Sequence, residues 1–146
     1  MSLADALHEL EVLLDSVPSV LAGRRADEVV TPSEGWSRAE LLGHLIDSAL
    51  NNLQRIIRLR QVEHLTLPGY DGEAWVTISD YARRPWPELI SEWTLLNRHL
   101  LIVARGIHAT ELPRVWISDS GPVTLEFIVV DYVRHLRHHL DQLGVA

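Results

Sequence analysis

The stretch "SRAELLGHLIDSALNNLQRIIRL", residues 37–59, carries the clearest helix signal in the chain. It opens with Ser37-Arg38-Ala39-Glu40, a capping box in which the serine and the glutamate each accept a hydrogen bond from the other's backbone amide. After this box, apolar residues return every three or four positions, which is the spacing of one helix face. The stretch therefore predicts a long amphipathic helix from Ser37 to residue 59 or 60, with Trp36 packed against its start.

Three further windows show the same helical spacing of apolar residues. The ends are predicted from proline at the first helical position and from glycine just after the last turn. No sustained alternation of apolar and polar residues is bounded by tight turns, so we expect an all-α protein. The windows run from Leu3 to Val17, where Pro18 is expected to interrupt the helix before a short turn to Leu21, from Pro87 to Gly106, and from Thr124 to Gly144.

Two long connections separate these predicted helices. The connection between the second and third helices has about 25 residues and four aromatic side chains, which is too long for a simple bundle turn and too aromatic for a flexible linker. It is expected to pass along the bundle so that these two helices run parallel, as in a four-helix bundle with crossover connections. The second connection, residues 110–123, includes a predicted short hairpin around Ser118–Gly121. Residues 1–146 are thus expected to form a single domain.

Composition excludes several classes of function. The formal net charge of −7 disfavours a nucleic-acid partner, since binding to the phosphate backbone needs a basic surface. The chain has no cysteine, so disulfides, a thiolate nucleophile and cysteine-based zinc sites are all excluded. No apolar run approaches the roughly 18 residues that span a membrane, and the N-terminal sequence lacks the basic start of a signal peptide. A cytoplasmic protein is therefore expected.

The C-terminal segment "RHLRHHLDQL", residues 134–143, concentrates three histidines. At about 100° per residue, His135 and His139 fall on or beside the apolar face of the predicted helix, whereas His138 points away from it. Two imidazoles one turn apart are the arrangement with which a helix supplies two ligands to one metal ion. The alternative is a pair of partly buried histidines hydrogen-bonded to the backbone or to an acid.

A third ligand must come from another helix, and His44 is the best candidate. It lies at the margin of the apolar arc of the second helix, with Ser48, Asn52 and Arg55 forming a polar strip on the same side. The alternative for His44 is a boundary histidine satisfied by Asp47 or by water. The remaining histidines are expected in connections or at the surface, and they are His8, His64, His99 and His108.

Three segments together resemble the DinB/YfiT-like superfamily. They are "GWSRAELLGHLIDS" at residues 35–48, "YDGEAW" at 70–75 and "YVRHLRHHL" at 132–140. They occur in the order found in that superfamily and spread over most of the chain. The resemblance implies a four-helix bundle with long crossovers, often dimeric. It also implies a divalent metal ion, such as zinc, nickel, iron or manganese, bound by His44, His135 and His139.

The same resemblance suggests a function. Some members are similar to enzymes that transfer a low-molecular-weight thiol of the bacillithiol or mycothiol type to an electrophilic small molecule. A metal-dependent thiol S-transferase or hydrolase is therefore expected, acting as a homodimer. The alternatives are a non-catalytic metal- or ligand-binding bundle and a structural dimer with hydrogen-bonded core histidines. The candidates for roles beside the metal or in the pocket are Asp47, Arg55, Tyr70, Asp71 and Trp75.

Overall fold

The computed structural model describes residues 1–145, which form five α-helices, one short 3₁₀ turn and five short strands. The helices are α1 (Leu3–Ala22), α2 (Arg38–Leu59), α3 (Gly72–Ser79), α4 (Trp86–Arg105) and α5 (Leu125–Leu143). The strands are β1 (Val29–Thr31), β2 (Trp36–Ser37), β3 (His64–Thr66), β4 (Val115–Ser118) and β5 (Gly121–Thr124), and the 3₁₀ turn is Tyr81–Arg83.

The four long helices α1, α2, α4 and α5 form a bundle in which α2 and α4 run parallel. Arg60, just after the end of α2, donates hydrogen bonds to the carbonyl oxygens of Val103 and Gly106 at the end of α4. Arg38, at the start of α2, instead donates to the carbonyl of Leu143 at the end of α5. Helices α2 and α5 are therefore antiparallel, and the predicted four-helix bundle with a long crossover is confirmed.

The helix ends follow the local sequence signals. The Ser37 hydroxyl accepts from the Glu40 amide, and the Glu40 carboxylate accepts from the Ser37 amide at 3.1 Å, so both bonds of the capping box form. Thr124 caps the start of α5, and Gly144 follows its end with a φ of 79°. Only glycine adopts this left-handed conformation without a steric penalty. The predicted bounds of α2 and α5 are thus confirmed.

Pro18 does not interrupt the first helix, so that prediction was wrong. Helix α1 continues through Pro18 to Ala22. A proline inside a helix removes one backbone hydrogen bond and crowds the preceding turn. Here Val17 and Leu21, on either side of it, are both fully buried in the core. Packing of this last turn against the other helices outweighs the local preference of the proline.

The core between the helices is mostly apolar, and a buried polar link joins α4 to α5. Trp93, Asn97 and Tyr132 are almost completely shielded from solvent. The Tyr132 hydroxyl donates to the Asn97 side-chain oxygen at 2.6 Å, and the Asn97 amide donates to the Trp93 carbonyl. This link satisfies the polar atoms involved and joins α4 to α5. Within residues 1–145, no helix is long and apolar enough to cross a membrane.

The two long connections are tied together by a three-stranded sheet. Strand β3, in the crossover, pairs in parallel with β4, and β4 pairs with β5 in an antiparallel hairpin. The predicted hairpin around Ser118–Gly121 is therefore confirmed, whereas β3 and the short helix α3 were not predicted. The indole of Trp116 on β4 also donates to the carbonyl of Leu67. This sheet places the second connection beside α2 and α5.

Candidate metal centre

The antiparallel packing of α2 and α5 brings three histidines together. Each of His44, His135 and His139 offers a ring nitrogen, and these nitrogens all lie within 4.8 Å of one another. The Nε2 atoms of His135 and His139 are 3.0 Å apart. Two nitrogens that each lie 2.0–2.1 Å from one zinc ion are separated by roughly 2.9–3.4 Å at right or tetrahedral angles. The His135–His139 pair therefore has the spacing of two ligands on one ion, and a ring nitrogen of His44 lies within 4.8 Å of both.

The surroundings of all three imidazoles favour the neutral form. Burial lowers the pKa of His44 and of His135 to about 4, aided by the repulsion that each protonated ring would meet from another protonated histidine nearby. Burial also lowers the pKa of His139, although its hydrogen bond with Gln142 opposes this shift. A metal binds only the unprotonated nitrogen of an imidazole. The burial of the cluster thus keeps three lone pairs available for an ion.

Neighbouring side chains fix the orientation of two of the rings. Nδ1–H of His139 donates a hydrogen bond to the side-chain oxygen of Gln142 at 2.6 Å, which leaves the unprotonated Nε2 to face the cluster. The Trp36 ring packs at 5.2 Å, centre to centre, from the His44 ring. A Cβ atom added at Gly72 would lie 3.4 Å from Cε1 of His44, so the crossover also approaches this ring closely.

The donor set fits a divalent transition metal. Nδ1 of His44 is buried and has no hydrogen-bond partner among the described residues, and such an unpaired buried nitrogen is uncommon in native proteins. Within residues 1–145, the cluster consists of these three histidines without a fourth protein ligand. Three imidazoles fill only part of the coordination sphere of zinc and similar ions, and such incomplete sets are typical of catalytic sites.

A cavity of about 440 Å³ begins at His135 and extends along α2 and α5 towards the sheet. Its walls combine the polar strip of α2 with the crossover, the β4–β5 hairpin and the first half of α5. The lining residues are Ser48, Asn52, Arg55, Gly69, Tyr70, Trp116, Ser118, Asp119, Ser120, Val123, Phe127, Ile128, Asp131, Tyr132 and His135. A ligand in this cavity would therefore lie directly beside the histidine cluster.

The five residues predicted to surround the metal or line the pocket have different positions. Arg55 and Tyr70 line the cavity, and Trp75 packs edge-on against Tyr70 with ring centres 5.2 Å apart. Asp71 caps α3 by accepting a hydrogen bond from a backbone amide of its first turn. Asp47 is buried on another side of α2. The structure thus brings Arg55 and Tyr70 together at the cavity and gives Asp47 and Asp71 contacts elsewhere.

Asp47 contributes to the contact between α2 and the crossover. The Tyr81 hydroxyl donates to one carboxylate oxygen of Asp47 at 2.6 Å, while the other oxygen has no partner among the described residues. Burial raises the pKa of Asp47 to about 6, although the Tyr81 hydrogen bond opposes this shift. Gly43 makes the contact sterically feasible, because a Cβ atom there would lie 2.0 Å from the Tyr81 ring.

Several residues of the site were not predicted from the sequence. Gln142 lies three residues after His139, so a search for hydrogen-bonding partners at helical spacing would have found it. Trp116 and Gly72 belong to the connections, and their proximity to the site depends on the fold. The five other histidines are exposed and lie outside the cluster, and they are His8, His64, His99, His108 and His138.

Comparison with known sequences identifies relatives over most of the chain. A protein of Bacillus subtilis (strain 168), named "Putative metal-dependent hydrolase YfiT", is 28% identical over 90% of this chain and 78% of its own. A Halalkalibacterium halodurans protein described in the same terms is 24% identical over 99% of this chain and 80% of its own. A third such protein, from Oceanobacillus iheyensis, is 25% identical over 76% of this chain, and the match spans 64% of that relative's length.

A solved structure shares the fold. It is YfiT from Bacillus subtilis, described as a probable metal-dependent hydrolase with an unusual four-helix bundle topology. The two structures superpose with a TM-score of 0.86 at 20% sequence identity, over 97% of this chain and 83% of that one. The sequence profile of the DinB superfamily also matches residues 2–143. This sequence match, over nearly the whole chain, shows that the protein belongs to the DinB superfamily.

Proposed function

We propose that this chain is a single-domain, metal-dependent enzyme in which His44, His135 and His139 hold one divalent ion. The observation that carries the proposal is the meeting of three neutral imidazoles, without a fourth protein ligand in the described chain, at the end of a cavity. The name that these relatives carry, "Putative metal-dependent hydrolase", agrees with it. Zinc, nickel and iron are candidate ions because imidazole is a suitable ligand for them, and manganese, which prefers oxygen ligands, is a further candidate from the family resemblance alone.

The proposed metal determines the class of reaction. A divalent ion on three imidazoles lowers the pKa of a coordinated water or thiol and so supplies a nucleophile near neutral pH. The chain contributes the walls that orient a substrate beside His135, and Gln142 holds the His139 ring in place. No residue of this chain supplies a thiol. Any sulfur nucleophile must therefore arrive as a second, low-molecular-weight substrate.

Hydrolysis is the first reaction we propose, with a small organic molecule as substrate. Transfer of a low-molecular-weight thiol to an electrophilic small molecule is the second candidate, since the chain has no cysteine of its own to act as the nucleophile. Both reactions need the same metal and the same cavity. They differ in whether turnover requires an added thiol such as bacillithiol or mycothiol.

We also propose that the chain forms a homodimer, as the resemblance to an often dimeric superfamily suggests. Leu50 and Ile57, two turns apart on α2, are about two-fifths exposed and border a second shallow cavity outside the bundle core. Light scattering should give twice the mass of one chain for the parent and the mass of one chain for Leu50→Asp/Ile57→Asp. A monomeric parent at micromolar concentration would contradict the proposal.

Metal content is the first test of the proposed site. The parent without a histidine tag, the double variant His135→Ala/His139→Ala and the variant His138→Ala are purified side by side and examined by elemental analysis. His138 is the matched control, because it lies on the same helix but is exposed. The parent and the control should each hold about one equivalent of metal and the double variant none. Absence of metal from a folded parent, after addition of each candidate ion and dialysis, would contradict the proposal.

Activity distinguishes the reactions. The metal-loaded parent and the double variant are tested on ester, amide and electrophilic probes, with and without an added low-molecular-weight thiol. Hydrolysis without thiol supports the first reaction, and turnover that starts only with thiol supports the second. Metal bound tightly without turnover in either assay would favour a non-catalytic metal-binding protein.

A further inference from the structure

Arg55 is a buried cation that lacks an anionic partner. Its side chain is only 7% exposed, and its guanidinium lies 3.8 Å above the centre of the Trp116 ring. Within residues 1–145, its Nε has no hydrogen-bond partner and no carboxylate lies within ion-pair distance of it. Its polar contact is a long one, 3.4 Å from Nη1 to the side-chain oxygen of Asn52.

This arrangement is energetically unusual. A buried charge is costly unless it is paired, and arginine stays protonated in proteins because its pKa is so high. Burial lowers the pKa of Arg55 below its ordinary value, which reflects that cost. Stacking on Trp116 recovers part of it, but among the described residues Nε–H has no acceptor and Nη1 has only the long contact with Asn52. The chain therefore presents a fixed cation with free donors.

Arg55 lines the cavity that ends at the histidine cluster. His135 of α5 lines the same cavity. On α2, the lining residues Ser48 and Asn52 lie between Arg55 and His44. Arg55 follows His44 by eleven residues, which corresponds to about 16 Å along the helix axis. The cavity also has apolar lining side chains, namely Trp116, Val123, Phe127 and Ile128, and Trp116 is the one that stacks on Arg55.

We propose that the substrate carries a carboxylate, which pairs with Arg55 while the apolar body of the molecule extends towards the histidines. This inference rests on the proposed function, because it names the substrate of the same site. The planar edge of a guanidinium matches a carboxylate through two parallel hydrogen bonds. Asp119 and Asp131 also line the cavity, and Asp131 pairs with Arg134. Their negative charge favours a singly charged carboxylate over a doubly charged phosphate.

Benzoate, its neutral analogue benzamide and inorganic phosphate serve as probes. Each is titrated into ¹⁵N-labelled protein from which metal has been removed by chelation, so that binding of the probe to a metal cannot contribute. The signals followed are the Nε–H resonance of Arg55 and tryptophan fluorescence. The variants are Arg55→Met, which removes the charge at similar length, and Arg58→Met, a matched control because Arg58 is an exposed arginine of the same helix.

Benzoate should shift the Arg55 Nε–H resonance saturably, whereas benzamide at the same concentration should not. Arg55→Met should weaken benzoate binding at least tenfold, and Arg58→Met should change it less than twofold. Equal benzoate affinity in the parent and Arg55→Met would overturn the proposal, as would a benzamide affinity equal to that of benzoate. Phosphate binding more tightly than benzoate would overturn the assignment to a carboxylate.

Two features keep this test decisive. If Arg55→Met fails to fold by circular dichroism, the presence or absence of the benzoate-induced Nε–H shift in the parent decides the question. Because the titrations use metal-free protein, failure of the parent to bind any metal would leave their outcome unaffected. A parent that binds metal but shows no benzoate-induced shift would overturn this inference alone.

Discussion

Helix α2 contains two buried arginines with opposite surroundings. Arg38, at its start, is 6% exposed and donates to the carbonyl oxygens of Leu143 and Arg25 and to the carboxylate of Glu28. Arg55, near its end, is 7% exposed and has an aromatic ring and one long contact. Equal burial thus accompanies very different hydrogen bonding. Unused donors, rather than burial, mark the part of the helix that is free to bind another molecule.

The surroundings of each arginine explain the difference. Arg38 meets the end of α5, where the last helical carbonyls lack partners within their own helix and attract a cation. Arg55 instead faces Trp116 and the cavity, where the described residues offer no acid within ion-pair distance. The first arginine closes the end of the bundle. The second remains available to a ligand.

The largest expected effect tests this contrast directly. Arg38→Met should lower the free energy of unfolding by about 2–4 kcal/mol, because it leaves buried carbonyl groups and a carboxylate without their donor. Arg55→Met should change it by less than about 1 kcal/mol, since an apolar residue replaces an unpaired charge. Urea denaturation monitored by circular dichroism measures both, with Arg58→Met as the exposed control. Equal losses in the two buried variants would contradict the comparison.

The histidine cluster is a second group with unused polar atoms, and metal should stabilise it. Zinc at a free concentration one hundred times its dissociation constant should raise the free energy of unfolding by about 2.7 kcal/mol. Thermal denaturation with zinc and after chelation measures the change. The stabilisation should be absent from His135→Ala/His139→Ala and retained in His138→Ala. Equal stabilisation of all three proteins would place the zinc elsewhere.

Gln142 should affect metal binding more than folding. Gln142→Ala removes the acceptor that orients His139, so zinc affinity should fall about tenfold, as is common when a partner of a metal ligand is lost. Competition with a chromophoric chelator measures the affinity. Gln54→Ala provides the control, because Gln54 is also an exposed glutamine but bonds to Arg58 on the outer face of α2. An unchanged affinity in Gln142→Ala would show that the His139 ring is held by other contacts.

The buried Asp47 carboxylate has one oxygen that accepts a hydrogen bond from Tyr81 and one that has no partner among the described residues. Because its pKa is raised from 3.8 to about 6, the folded state holds a proton that the unfolded state has released. Its contribution to stability is therefore greatest below about pH 4 and is lost as pH rises through about 6. Asp47→Asn keeps the acceptor for Tyr81 without this charge. Its advantage over the parent should grow by about 1 kcal/mol between pH 5 and pH 8.

Urea denaturation of both proteins at the two pH values measures this difference. Comparing the proteins at each pH cancels the titration of the histidines, which both share. A difference in stability that stays constant from pH 5 to pH 8 would mean that the Asp47 carboxyl titrates normally in the folded protein.

The long helices could be predicted because their signals are local. The capping box at Ser37, the threonine and glycine around α5 and the spacing of apolar residues all lie within a few residues of the element they define. The passage of α1 through Pro18 could not be predicted, because it depends on packing with distant helices. Strand β3 likewise exists through its pairing with β4, about fifty residues later in the chain.

The candidate site was predictable to the same extent. Helical spacing predicted that His135 and His139 share the inward face of one helix and that His44 lies at the edge of the inward face of another. These predictions require only the direction of a side chain on its own helix. The surroundings of Arg55 could not be predicted from local sequence. Trp116, which stacks on it, lies in the connection between α4 and α5, so this contact depends on the tertiary structure. Local patterns therefore located the proposed ligands, whereas the contents of the cavity required the tertiary structure.

The cavity is enclosed by helices on one side and by connections between helices on the other, and these two kinds of segment differ in how readily their sequences change. The three histidines stand on long helices whose packing holds the bundle together, whereas Tyr70, Trp116 and the β4–β5 hairpin belong to connections between helices. Connections accept substitutions and changes of length more readily than packed helices do. Replacement of the hairpin and crossover would therefore change which molecules the cavity admits, while the helices keep the same three imidazoles in place.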